Sequence, residues 1–164
     1  MLIAIEKKFI NDDSCVYLGV VRHFNNSMET NFEIEENYAV VLNGVHIDLH
    51  NNFAFNEILE FENSITIKFI KLNKDWIHEK EFRKLNFLHK NVTFKYSETG
   101  DNSQFPEDGN TLSEITFFPK TSREVNDGFM QSKEPNKTDD IIYHFENGKL
   151  FRINCESIEL IVEK

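Results

Sequence analysis

Residues 38–49 read YAVVLNGVHIDL, two alternating runs split by Asn43-Gly44. Asn-Gly between such runs signals a type I′ hairpin turn, which needs φ > 0 at both central residues. Counting outward from the turn, Leu42 faces Val45, Val40 faces Ile47 and Tyr38 faces Leu49, which gathers six apolar side chains on one face. His46, Asp48 and His50 share the other face with Asn37, Ala39 and Val41. Asn147-Gly148, between IIYHFE and KLFRI, predicts a second hairpin of the same turn type. After Leu49, burial favours a three-residue loop, His50-Asn51-Asn52, with Asn52 left-handed, pairing Leu49 with Phe53 and Ile47 with Phe55.

The rest of the chain continues this pattern. Further strands are expected at Leu2 to Phe9, Cys15 to His23, Asn31 to Glu35, Val92 to Tyr96, Glu114 to Phe118 and Ile158 to Glu163, with ITIKFIKL (65–72) after Glu62-Asn63-Ser64. Residues 75–82 predict a short helical or irregular turn, from which Leu85 and Phe87 alternate into Val92, Phe94 and Tyr96. Ser97 to Ser113 and Thr121 to Asp140 are poor in apolar residues and read as surface loops or mobile excursions. Ala occurs only at 4, 39 and 54, whereas there are 16 Phe among 164 residues, so strand formers outweigh helix formers. The expected fold is a single mainly β domain over 1–164. Its form is an antiparallel sandwich or partly open barrel of about ten short strands with at most one short helix.

Several function classes lack their residues. There is no P-loop, G-x-G-x-x-G, G-x-S-x-G or H-E-x-x-H, and adjacent carboxylates such as Glu35-Glu36, Glu107-Asp108 and Asp139-Asp140 do not form an acid/base pair. The expectation is therefore no enzyme, no catalytic residue and no cofactor. His46, Asp48 and His50 could aim at one metal ion, but alternation already accounts for their spacing, and alternate strand residues sit near 7 Å apart. No metal site is expected; a metal-dependent enzyme built on these three is the weaker alternative. Cys15 and Cys155 form no CxxC clip and no disulfide framework, although they could meet if the terminal strands are neighbours. No long apolar run or export-type leader is present, so a cytoplasmic protein without membrane contact is expected.

Charge is segregated along the chain within a net charge of -10. From His23 to Ile67 there is no Lys or Arg, while Glu29, Glu33, Glu35, Glu36, Asp48, Glu57, Glu60 and Glu62 are all acidic. Lys68 to Lys95 reverses the sign, and Tyr96 to Phe118 is again free of base, with Glu98, Asp101, Glu107, Asp108 and Glu114. Cross-strand pairing could cancel these blocks, or they could form an acidic docking surface. Trp76, Phe82, Phe87 and Phe94 among the lysines suggest nucleic-acid binding, but the overall field repels phosphate, so no nucleic-acid partner is expected.

From YAVVLNGVHIDL to the terminal IIYHFENGKLFRINCESIELIVEK, the chain resembles the small, acidic, β-rich bacterial proteins that accompany toxins as immunity factors. The resemblance is one of size, acidity, loop-rich β character and absent catalytic motifs, and it transfers no individual residue. It implies an inhibitor that covers the active site of a basic toxin, commonly a nuclease domain. Glu29, Glu33, Glu35, Glu36, Glu98, Asp101, Glu107 and Asp108 are the expected docking charges, with Phe32, Tyr38 and Phe105 as anchors. The alternative is a barrel or sandwich whose phenylalanines line a cavity for a small apolar ligand.

Overall fold

The computed structural model describes residues 28–77, 81–103, 106, 108–125, 128–136 and 138–164. The strands expected at Leu2 to Phe9 and Cys15 to His23 lie outside the described residues, as do Cys15, Phe105 and Glu107. In chain order the elements are β1 (Glu29–Thr30), β2 (Glu33–Glu36), β3 (Ala39–Leu42), β4 (Val45–Asp48), α1 (Leu49–Asn52), β5 (Phe53–Phe61) and β6 (Ser64–Lys71). They continue with β7 (Lys84–Lys90), β8 (Phe94–Glu98), β9 (Leu112–Pro119), a 3-10 turn (Lys120–Ser122), β10 (Asp139–Phe145), β11 (Leu150–Asn154) and β12 (Ser157–Glu163).

These strands form three sheets, ordered β1-β12-β7-β6-β5, β8-β11-β10-β9 and β2-β3-β4. Every described pairing is antiparallel except β1 with β12. The mainly β expectation holds. The five- and four-stranded sheets stack as a sandwich without closing into a barrel, and the one α-helix among the described residues is a single turn. A turn at 75–76 leads toward β7, where Leu85 and Phe87 point inward as their alternation predicts.

The first hairpin has the expected register: Leu42 pairs with Val45, Val41 with His46, Val40 with Ile47 and Ala39 with Asp48. Asn43 at φ 52° and Gly44 at φ 79° supply the two left-handed residues of a type I′ turn. The second hairpin also forms, but with a different turn. His144 pairs with Leu150, Phe145 N–H donates to Lys149 O, and Gly148 N–H donates back to Phe145 O. Of the loop Glu146-Asn147-Gly148, only Gly148 has positive φ, at 81°. This is the three-residue arrangement in which a type I turn is closed by a left-handed glycine, in place of the expected two-residue I′ turn.

The expected loop after Leu49 is overturned. Asp48 accepts the Asn51 backbone N–H at 2.9 Å and the Asn51 side-chain amide at 2.8 Å, capping the single turn α1. That turn carries the chain out of the β2-β3-β4 sheet, so β5 pairs with β6 and the Leu49–Phe53 and Ile47–Phe55 pairings do not form. Asn52 is not left-handed.

Between the two large sheets lies an aromatic layer. Phe69 of β6 packs on Phe55, Phe87, Tyr143 and Phe145 at centroid distances of 5.9–6.5 Å, and Phe55 continues it to Phe145 and Phe151. These rings pack mostly edge-on or tilted, the geometry their quadrupoles favour. One polar pair sits within the layer. The fully buried His89 donates from Nδ1 to Ile65 O at 2.8 Å, leaving Nε2 to accept the Tyr143 hydroxyl at 3.1 Å. Both ring nitrogens are satisfied in the neutral imidazole, and burial lowers the His89 pKa from 6.5 to about 4.

The four-stranded sheet buries its second face as well. Asp140, Ile142, Leu150, Arg152 and Thr116 project there beneath the segment 119–136, and all five are buried. Arg123 grips Asp140 through two parallel hydrogen bonds of 2.8 and 2.7 Å, and Arg152 Nε donates to the same carboxylate at 2.9 Å. The remaining Arg152 donors reach the carbonyls of Pro119, Ser122 and Val125. Thr116 Oγ1 donates to Met130 O and accepts Ser132 N–H, while Phe118 packs edge-on against Phe129 at 4.9 Å. Among the described residues of the stretch expected to be a surface loop or mobile excursion, Ser122, Arg123, Val125, Met130 and Ser132 are thus hydrogen bonded to the sheet, mainly through charge-assisted bonds.

Two predictions follow from these buried groups. Asp140→Asn strands the Arg152 charge in the protein and should lower unfolding free energy in urea by about 3–5 kcal/mol. For His89, folded and unfolded chains bind protons equally above pH 6.5. As pH falls toward 4 only the unfolded chain gains one, so stability drops by about 3 kcal/mol across that window. Urea titrations of wild type and His89→Gln from pH 7 to 4 should converge by that amount.

Candidate functional site

The carboxylates Glu33, Glu35 and Glu36 belong to β2 of the small sheet, whereas Glu29 lies in β1 of the five-stranded sheet, and the register explains how the β2 group reaches solvent. Glu33 pairs with Val41 and Ile34 with Val40, but Glu36 pairs with Ala39, so Glu35 is a bulged residue. Ile34 is buried, while Glu33 and Glu36 are exposed and Glu35 is half-buried. A bulge re-aims side chains in this manner, letting two consecutive carboxylates reach solvent.

The Glu35 carboxylate pairs with His46, the neighbour across β3. Tyr38 hydrogen bonds to Glu36, and that bond, partial desolvation and the charges of Glu36, Asp48 and Glu35 together raise its pKa above the ordinary tyrosine value. The Tyr38 ring packs against His50 at 6.3 Å, and His50 lies 3.9 Å from Glu146 in the β10–β11 turn. Glu35, Glu36, Tyr38, Asp48 and Glu146 thus form one acidic ridge.

Beside the ridge, Glu29, Phe32 and Glu33 meet around a cleft of about 740 Å³. Val41, the Asn43-Gly44 turn, Glu134 and Pro135 complete its walls. Phe32, expected as an anchor, is 4% exposed and packs edge-on to Phe87 at 5.3 Å, and it lines the floor of the cleft. Glu134 and Glu146 escaped the sequence reading because each lies in a connection whose position depends on remote partners.

The second acidic segment gathers over the β10–β11 turn. Asp101 N–H bonds to Asn147 O, Asn147 donates to Asn102, and a Cβ on Gly100 would meet the Asn147 side chain at 2.3 Å. Lys149 reaches up to Gly109 O and Asn110 Oδ1 from above the Phe55 and Phe145 rings. Asp101 accepts hydrogen bonds from Ser103, which lower its pKa. Asp108 is exposed, and Glu98 hydrogen bonds with Tyr96. This segment touches the ridge through Glu146, whose N–H donates to Thr111 O.

The basic block behaves differently. Lys68 pairs with Glu57, Lys95 with Glu60, Lys90 with Glu159 and Lys84 with Glu163. Phe82 and Phe87 are core residues and Phe94 lies under Arg123 at 3.4 Å, so of the aromatics in this block only Trp76, 52% exposed, is presented openly among the described residues.

The triplet His46, Asp48 and His50 is divided among separate tasks: His46 pairs with Glu35, Asp48 caps α1, and His50 Nδ1 donates to Leu112 O at 2.7 Å. Among the described residues no three His, Cys, Asp or Glu side chains converge as a metal set. Cys155 is buried, and burial pushes its thiol up to about 12, an unreactive state at neutral pH. Also among the described residues, no helix is long and apolar enough to cross a membrane.

The capping role of Asp48 can be measured. Asp48→Ala should cost about 1 kcal/mol in urea unfolding, with Asp48→Asn recovering most of it, because either side chain can accept the Asn51 N–H.

Comparison with protein-family models, curated proteins and solved structures finds no match for the chain.

Proposed function

We propose that this protein is a non-enzymatic binding protein of immunity type, which blocks a basic toxin domain by covering it with the acidic face formed by β2, Tyr38, Asp48 and Glu146. The observation that carries this reading is the division of the ion pairs. Glu57, Glu60, Glu159 and Glu163 have lysines of the basic block beside them, whereas Glu29, Glu33 and Glu36 have no Lys or Arg ion-pair partner among the described residues. A field concentrated in this way steers a basic protein and excludes an acidic one. The Asn43-Gly44 hairpin supports this face with a paired backbone, and a face already ordered by strand pairing limits the entropic cost of association.

The occlusion is steric and electrostatic and needs no chemistry from this chain. Its partner is a basic protein, of which a cognate nuclease toxin is the example that best fits the charge. Tyr38 is the central aromatic of the ridge, an apolar ring with a polar tip of the sort that anchors interfaces.

The test is association of the purified protein with basic nuclease toxin domains, followed across a salt series. The on-rate should fall by about tenfold or more from low to high salt, since exposed charges are screened beyond a Debye length. Glu35→Lys with Glu36→Lys should weaken binding by at least about tenfold by the same mechanism, largely through the on-rate. A partner that binds equally fast at all salt concentrations, or that ignores both substitutions, defeats the proposal.

A further inference from the structure

The cleft beside the ridge has a shape and a chemistry that specify more than acidity. Its floor is apolar: Met28 and Phe32 are 5% and 4% exposed, and Val41 lies alongside. Its rim carries three exposed carboxylates, Glu29 of β1, Glu33 of β2 and Glu134 from the connection before β10, and no Lys or Arg lines it among the described residues. The rim of one acidic strand would be convex and fully hydrated. Here the carboxylates stand around an open cleft with an apolar floor, where a cation meets fixed charge while its stem covers apolar surface.

A second observation is independent of charge. β1 is the edge of the five-stranded sheet, with β12 on one side and no described strand on the other, and its residues line the cleft. Glu29 N–H is engaged by Glu156 O on the β12 side. A strand edge opening onto a groove is the geometry of strand addition, in which an extended segment gains backbone hydrogen bonds and places alternate side chains in pockets. Guanidinium suits the rim best, because its planar fork matches carboxylates and it is more weakly hydrated than ammonium.

We propose that this cleft receives an extended, arginine-bearing segment of the basic protein partner, laid along β1 with its cationic side chain among Glu29, Glu33 and Glu134. This rests on the binding role proposed above and adds to it a defined point of entry, separate from the Glu35–Tyr38 ridge. The aliphatic part of the arginine lies over Phe32 and Val41, and the backbone of the segment extends the five-stranded sheet.

The probe is a synthetic hexapeptide, Thr-Val-Arg-Val-Arg-Thr with blocked ends, titrated into the full chain and followed by backbone amide shifts and hydrogen exchange. The expected result is perturbation and protection concentrated at residues 28–33 and 43–44. Affinity should fall at least about tenfold when citrulline replaces arginine, or when Glu29→Gln, Glu33→Gln and Glu134→Gln are combined, the range expected for a charge-assisted fork. Unchanged urea unfolding of that triple variant confirms that it folds.

Three outcomes overturn the assignment: perturbation confined to the ridge, an affinity indifferent to the triple variant, or amides at 28–33 already protected in the free chain by residues preceding Met28 and unmoved by peptide. Binding of the toxin itself separates the two levels. Loss with Glu35→Lys and Glu36→Lys but full retention in the triple variant removes the cleft and leaves the acidic-face reading standing. Retention in both sets of variants removes both.

Discussion

Phe69 meets four aromatic rings from β5, β7 and β10, and through it the two large sheets become one body. Each ring of such a layer removes a large apolar area from water and constrains the orientation of the next. With Phe55 fixed on Phe145 and Phe151, β5 must lie over the β10–β11 hairpin, and the Glu60–Lys95 pair joins the edge strands on that side. The small β2-β3-β4 sheet is then held at the periphery through α1 and the bond from Ile115 N–H to Asn37 O. The acidic ridge stands where it does because the aromatic layer leaves that sheet nowhere else to pack Ile34, Val40 and Ile47.

The other face of the four-stranded sheet shows a different solution to burial. The segment 119–136 has few large apolar side chains, so hydrophobic packing alone would hold it weakly. Arg152 instead satisfies Asp140 and three backbone carbonyls at once, while Arg123 bridges Asp140 and the Phe94 ring. Buried charge of this kind contributes modest net stability, but it strongly disfavours any arrangement in which a partner is missing. Its effect is positional: it fixes residues 119–125 against the sheet, while farther along the Lys133 carbonyl accepts Ile34 N–H at 3.4 Å and the adjacent Glu134 lines the cleft with Glu29.

Local chemistry explains which parts were legible beforehand. Asn43-Gly44 sits between strands that pair with each other, so a two-residue turn and alternation were enough to give the register. At Asn147-Gly148 the hairpin was readable but its turn was not, since only the observed pairing of His144 with Leu150 shows that Glu146 belongs to the loop. The loop expected at His50-Asn51-Asn52 does not form because β5 leaves the sheet of β4 to pair with β6. Asp48 three residues before Asn51 is a capping signal, and the period-two pattern of VHIDLH masked it. The acidic run was visible in composition, yet its division into paired and unpaired carboxylates depends on which strands become neighbours. Glu57 and Glu60 acquired lysines through β6 and β8; Glu29, Glu33 and Glu36 have no Lys or Arg partner among the described residues. Long-range pairs such as Arg152 with Asp140 leave no periodic trace at all.

β12 lies between β1 and β7 in the five-stranded sheet, although every other strand of that sheet precedes it in the chain. The sheet therefore cannot be completed by sequential zippering as the polypeptide emerges. Two strands that border the gap must wait, each with an open hydrogen-bonding edge, until residues 157–163 arrive to fill it. Such non-local closure imposes a high contact order and slow folding. A nascent chain interrupted before Ser157 would carry a β7 edge ready to pair with other molecules, so its escape from aggregation depends on how quickly this one strand is delivered.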